Sequence, residues 1–270
     1  MIFCQAVKFT KGATMSNSVA IVTGASQGIG KATALRLASN FSGLALVARN
    51  EAHLQETAQQ AKSAGAESLV LPLDLSEPAA AEKIVKDTLG RFGRIDAVVN
   101  IAGAVPQIDL FAMTDAQWND GMALKFHGAR RLTIKAWDAL KAAKGSVVLL
   151  SGLAAYDPKP GFAAVAAINA AIIALAKAFA EQGIKDGVQV NSVSPGAVMT
   201  GRRKSFFEKW APANNLSVEE AIKNYPEESG ISRFGEPEEI ADLLAYLVSP
   251  AAKWMTGASL RMDGGEFKGI

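Results

Sequence analysis

Thr23-Gly24-Ala25-Ser26-Gln27-Gly28-Ile29-Gly30 decides how this chain is read. It follows a short β-favouring run at 18–22 and opens a stretch with helical spacing at 28–38. Glycines here let the backbone turn sharply and come close to a pyrophosphate, whose charge the free N–H groups of a helix N-terminus attract. The spacing is GxxxGxG rather than GxGxxG. A tight strand-to-helix turn can need glycines for its own sake, so the weight of the signal comes from its place in the chain.

Outward from that turn the pattern repeats. Strand-like runs at 44–48, 69–73, 97–100, 146–150, 188–193 and 259–262 alternate with helical spacing at 51–64, 79–89, 115–140, 162–182 and 237–247. Such alternation predicts a parallel sheet with helices on both faces, and the nearly unbroken apolar strands suit a sheet buried on both sides. Thr114 to Gln117 has the form of a capping box, and Pro237 with Glu238 and Glu239 stands where a helix start favours proline and acids. No linker or repeat interrupts the order, so one doubly wound domain is the economical reading.

Composition narrows the function. The 270 residues are 49% hydrophobic and 20% charged, with a formal net charge of +2, an ordinary balance for a soluble globular chain. No stretch concentrates Lys and Arg as a nucleic-acid or membrane surface would require, and Arg202-Arg203-Lys204 reads as a solvated helix face. A single cysteine, Cys4, leaves no disulfide framework or thiolate metal site, and His53 and His127 are too few for a histidine-rich zinc centre. A reducing cytoplasm fits, with no metal. Residues 1–14 lack a signal-peptide apolar core, and no later segment reads as a transmembrane helix. They read as an upstream start or a disordered tail ahead of a domain at 15–270.

Further landmarks fall in order. Asp74-Leu75 follows the third strand and Asn100-Ile101-Ala102-Gly103 the fourth. Asn191-Ser192-Val193-Ser194-Pro195-Gly196, with Val198 and Thr200 after it, follows the sixth, and Thr256-Gly257 and Asp263-Gly264-Gly265 lie near the end. Taken with the glycine turn, from Ser18 to the C-terminus, the chain resembles the short-chain dehydrogenase/reductase family. The resemblance implies a single doubly wound Rossmann-type domain, a seven-stranded parallel sheet with helices on both faces. It implies cofactor contacts at Thr23, Gly24, Ser26, Gln27, Gly28, Ile29, Gly30, Arg49, Asn50, Asp74, Leu75, Asn100, Ala102, Gly103, Pro195, Gly196, Val198 and Thr200. Asp74 corresponds to the family's adenine contact, Asn100–Gly103 is a variant of its NNAG signature, and Pro195-Gly196 stands for the segment beside the nicotinamide. A substrate lid is implied at about 199–230, where Phe206, Phe207, Trp210 and Tyr225 either cover an apolar substrate or simply pack. A homo-oligomer, tetramer or dimer, is implied too, with Ala163, Ala167, Ala170, Ala171 and Ala174 allowing close helix approach.

Cofactor choice has a physical basis. NAD-binding proteins place a carboxylate at the end of the second strand to accept from the ribose hydroxyls. That position here is Ala48, followed by Arg49, whose guanidinium would pair with a 2′-phosphate that a carboxylate would repel. NADP(H) is the expected cofactor. Arg49 as an ordinary exposed arginine opening a loop is the plainer alternative.

The family's usual chemistry needs Asn, Ser, Tyr and Lys, with Tyr and Lys one helical turn apart. Aligned through Pro158-Lys159-Pro160-Gly161 and the alanine-rich helix, this chain has Gly152 at the Ser position, Val165 at the Tyr and Asn169 at the Lys. Anchored on Gly128, Lys125 stands at the Asn position. Tyr156 and Lys159 cannot replace the pair, being three apart and enclosed by prolines. Ser151 would point away from the site unless its strand bulges. Lys and Asn have thus exchanged places between two facing helices. Either Lys125, its pKa lowered in a partly dry pocket, is a relocated proton donor with Asn169 across from it, or the site drifted after losing its chemistry. The expectation is an NADP(H)-dependent oxidoreductase acting on a small carbonyl or alcohol substrate. The alternatives are an NADP(H)-binding sensor or regulatory protein without turnover and, less favoured, a non-redox enzyme that keeps the cofactor as structure.

Overall fold

The computed structural model describes residues 15–269, so the expectation for residues 1–14 lies outside the described residues. Strands β1 (Met15–Thr23), β2 (Phe41–Ala48), β3 (Glu67–Pro72), β4 (Ala97–Asn100), β5 (Ser146–Leu150), β6 (Gln189–Pro195) and β7 (Ser259–Met262) form one sheet in the order β3-β2-β1-β4-β5-β6-β7. Every pairing is parallel, with Ile21 opposite both Ala45 and Val98, and Val98 opposite Val147. The doubly wound sheet expected from the strand–helix alternation is therefore present.

Strand side chains alternate faces, and both faces are apolar. Ala20, Val22, Leu44, Leu46 and Val99 pack under α1 (Gly28–Leu37), α2 (Glu51–Ser63) and α9 (Pro237–Leu247). Ile21, Ala45, Val98, Val147 and Val190 pack under α3 (Ala80–Phe92), α5 (Ala129–Ala143) and α6 (Ala163–Asp186). The chain runs from β1 out to β3, returns to β4 beside β1, and continues to β7. The sheet order therefore reverses between β1 and β4, where open α/β folds bind ligands beyond the C-terminal strand ends.

Two expectations need correction. The single helix expected over 115–140 is α4 (Asp115–Gly121), a π-helical turn (Met122–Gly128) and then α5. Its start does carry the Thr114–Gln117 capping box. The π turn shifts the helical register by only about one residue, which apolar spacing does not reveal, and Lys125 sits at its centre. The second correction concerns membrane-crossing character. Residues 160–186 are long and apolar enough, by length and composition, to cross a membrane, with a mean hydropathy of 2.0 in the most apolar window. They form mainly the crossover α6 between β5 and β6, whose Ile168, Ile172, Ala176 and Ala180 are buried, and core crossover helices share that composition.

Helices α7 (Gly201–Ala213) and α8 (Val218–Glu228) follow β6 with a small core of their own. Phe207 is its fully buried centre, edge-on to Tyr225 and Phe234.

Candidate active site

A cleft of about 500 Å³ opens beyond the C-terminal ends of β1 to β4. Its floor is the turn from β1 into α1. Gly24 has φ +70°, and a Cβ on Gly30 would collide with the Gly24 carbonyl oxygen, so the tight turn requires both glycines. Gln27, the N-cap residue of α1, makes no side-chain cap, which leaves the first-turn N–H groups without a side-chain acceptor.

Most of the residues expected at a cofactor line this cleft: Gly24, Ser26 to Gly30, Arg49, Asn50, Asp74, Leu75, Ala102, Gly103 and Thr200. Thr23, Asn100 and Pro195 do not. Thr23 Oγ1 accepts from Ile101 N at 2.9 Å and Ala102 N at 3.0 Å, which fixes the loop after β4 from behind. Asn100 is buried, donating to Thr133 Oγ1 at 3.2 Å, and Pro195 is buried at the end of β6. Gly196 and Val198 line a smaller adjoining pocket of about 150 Å³, which Thr200 and Arg202 share with the cleft. Sequence reading missed His53, Leu124, Leu150 and Arg202 as lining residues. His53 follows the N-cap Asn50 by three positions in α2, a spacing that could have revealed it. Arg202 is exposed, as expected of a solvated face, and also lines the cleft.

At the end of β2 the cleft is lined by Ala48, with no carboxylate at that position, and then by Arg49. The Arg49 side chain is 69% exposed and only loosely paired, Nη1 standing 3.9 Å from Asp74 Oδ2. Burial works to raise the Asp74 pKa, but the Ser76 N–H, the Ser76 hydroxyl and the Arg49 charge together hold it below the usual aspartate value.

Lys125 and Asn169, expected to face each other, are in direct contact. Lys125 Nζ donates to Asn169 Oδ1 at 2.5 Å and to the Ser151 carbonyl oxygen at 3.0 Å. Among the described residues no carboxylate pairs with it. Its methylenes lie against Gly103, where a Cβ would come within 2.9 Å of Cδ. The residue as a whole is half-buried, yet its ammonium is enclosed. Burial first, and then the positive charge of Arg202, lower its pKa to about 7.

The surroundings are fitted to this pair. A Cβ on Gly152 would stand 2.7 Å from Asn169 Nδ2, so a serine there would displace the amide. Asn169 is 2% exposed and has little room to move. Ser151 turns its hydroxyl to the α6 backbone, donating to Asn169 O at 2.8 Å. Val165, one turn before Asn169, is half-buried. Tyr156 and Lys159 are engaged elsewhere, Tyr156 Oη with Ser259 Oγ at 2.7 Å and Lys159 with Asp157 at 2.9 Å. The arrangement is a dinucleotide-sized cleft with a titratable amine enclosed behind Gly103, neither Lys125 nor Asn169 being among the residues that line the cleft itself.

Comparison with known proteins bears on the fold and the cofactor cleft. Residues 24–266 match the sequence profile of the family described as enoyl-(acyl carrier protein) reductase. A 3-oxoacyl-[acyl-carrier-protein] reductase of Synechocystis sp. is 31% identical over 257 residues, covering 93% of this chain and 97% of that protein. L-sorbose reductase from Gluconobacter frateurii, solved in complex with NADPH and L-sorbose, superposes with a TM-score of 0.89 at 27% identity, covering 94% of this chain and 97% of the other. An actinorhodin polyketide ketoreductase solved with NADPH gives 0.87 at 28% identity, covering 92% and 97%.

Proposed function

The chain belongs to the short-chain dehydrogenase/reductase family, and from that premise we propose that it is an NADP(H)-dependent oxidoreductase interconverting a carbonyl and an alcohol, with Lys125 as proton donor. The residues present fit the cofactor. The Gly24–Gly30 turn and the uncapped N-terminus of α1 suit a pyrophosphate, and Thr200 and Gly103 flank the inner end of the cleft. Arg49 is free to pair with a 2′-phosphate, and no carboxylate at the end of β2 opposes it. When bound, NADP(H) supplies or accepts the hydride.

One observation carries the proton-donor reading. A protonated lysine has three N–H groups, and at Lys125 two of them are bonded to Ser151 O and Asn169 Oδ1. The third is the mobile one. After giving it to the carbonyl oxygen, the neutral amine still has the two N–H groups its acceptors need, so deprotonation leaves no buried acceptor unpaired. A pKa of about 7 matches the amine to that exchange near neutral pH. Asn169 is a positioning residue, aiming Nζ through its Oδ1. The close fit of Gly152 to the Asn169 amide favours a rebuilt site over a drifted one. Residues 199–230 we read as the substrate lid. The exposed Ala167, Ala170 and Ala174 of α6 are the basis for a homo-oligomer, and the setting we propose is the cytoplasm.

The test is to titrate the protein with NADPH by fluorescence, then follow NADPH oxidation over a panel of ketones, aldehydes and quinones. Binding with oxidation of at least one carbonyl compound is expected. Binding without oxidation across the panel would replace this proposal with a nucleotide sensor, and absence of NADPH binding would end it.

A further inference from the structure

The adjoining pocket, whose walls come from the segment after β6, the start of α7, Gln107 and Ile29 of α1, holds an excess of positive charge. Arg202 and Arg203 both line it, with Gln107, Thr200 and Phe206 beside them, and among the described residues no acidic one does. Lys125 lies close enough for the Arg202 charge to act on it. Among the described residues, none of these three cations pairs with a carboxylate. Two acids stand behind the Gly196 wall and both are committed elsewhere: Glu266 Oε2 accepts from Ala197 N at 2.8 Å and its Oε1 from Tyr225 Oη at 3.1 Å, while Asp263 accepts from Gly265 N at 3.0 Å and Phe267 N at 3.3 Å.

The two arginines are held in place by neutral groups. Arg202 reaches back over the mouth of the cleft and donates to Gly103 O. Its residue surface is open to solvent, yet its guanidinium lies in a crevice where burial lowers its pKa. Arg203 lies over the rings of Tyr225, 5.3 Å from its centroid, and Phe206, at 6.0 Å. Guanidinium groups brought together at partly dry sites without counter-charge repel one another, and a bound anion removes that cost. Arginine also offers a carboxylate two parallel donors.

We infer that this pocket takes the anionic end of the substrate, so that the carbonyl compound reduced at Lys125 is a small oxo acid whose carboxylate is held by Arg202 and Arg203. The volume of about 150 Å³ is below that of a whole ligand site and suits one end of a small molecule. This inference rests on the proposed oxidoreductase reading. The other source of the same chemistry is a phosphate of the cofactor itself, since Arg202 also lines the main cleft.

The experiment measures binding as well as turnover. Pyruvate, acetoacetate and levulinate, each paired with its methyl ester, are titrated into the NADPH-loaded protein by ligand-observed NMR, and NADPH oxidation is followed in parallel. At least one acid is expected to bind about tenfold tighter than its ester. Arg202→Met should erase that preference with NADPH affinity changed by less than about threefold, Arg203→Met should weaken it, and Lys204→Met, on the exposed side of the same run, should leave it unchanged. No acid binding better than its ester overturns the inference. So does an Arg202→Met protein that loses NADPH affinity while keeping the acid preference, because the guanidinium then serves the cofactor. An acid preference without NADPH oxidation would instead sink the oxidoreductase reading and leave the anion pocket standing.

Discussion

At Lys125 and Arg49, local surroundings decide what two ordinary basic side chains do. Lys125 is enclosed, holds two neutral acceptors and has no carboxylate partner among the described residues, so its charge is marginal near neutral pH. Arg49 is open and held only by a long contact to Asp74, so its guanidinium can turn to an incoming anion. Arg49→Glu is expected to weaken NADPH binding by about tenfold or more while leaving NADH binding less affected. Equal loss for both cofactors in paired fluorescence titrations would show that Arg49 does not read the 2′-phosphate. Arg49, Lys125 and Asn169 could be picked out of the sequence because each stands at a fixed offset from a recognisable turn or strand. The contact between Lys125 and Asn169 could not, since it depends on the π turn and on Gly152 leaving space for the amide. Arg202 is exposed, as a solvated helix face predicts, but its place over the cleft is not legible for a related reason. A run of basic residues resembles a solvated face until the chain is folded and one of them lies across Gly103.

Among the elements, the strands were legible and the cover over the site was not. Apolar runs bounded by turns identify β4 and β5 to the residue, because a strand buried on both faces needs an unbroken apolar stretch. β7 also has the expected bounds, although its residues alternate between exposed and half-buried at the sheet edge. Helices α7 and α8 are cut by polar and charged residues, and their aromatic positions fit packing and substrate contact equally well in sequence. In the folded chain Phe207 is fully buried among Tyr225, Phe234 and Phe206, a core separate from the two that sandwich the sheet. Phe207→Ala should therefore cost about 3–5 kcal/mol locally. Hydrogen exchange should speed up across 201–228 while β1 to β6 keep their protection. A uniform loss of protection through the sheet would mean that α7 and α8 are continuous with the main core.

For the whole molecule, the sheet order brings the ends of β1 to β6 around one crevice at the β1–β4 reversal, so segments far apart in sequence meet there. The glycine turn follows the first strand, Gly103 comes from the loop after the fourth, Leu150 from the end of the fifth, and Thr200 and Arg202 from the segment after the sixth. Hydride chemistry with a lysine proton donor makes one demand on the intact protein. Reduction requires the protonated amine, so its rate must fall as pH rises through the Lys125 pKa of about 7, and the reverse oxidation must rise. The most direct measurement is the pH profile of kcat for NADPH oxidation in the wild-type protein and in Lys125→Met, with NADPH affinity measured alongside. The account predicts a wild-type rate that is level below about pH 7 and falls about tenfold per unit above it, and a Lys125→Met protein that binds NADPH within about threefold of wild type without turning it over. A Lys125→Met protein that turns over at the wild-type rate, with the same pH dependence, would contradict it.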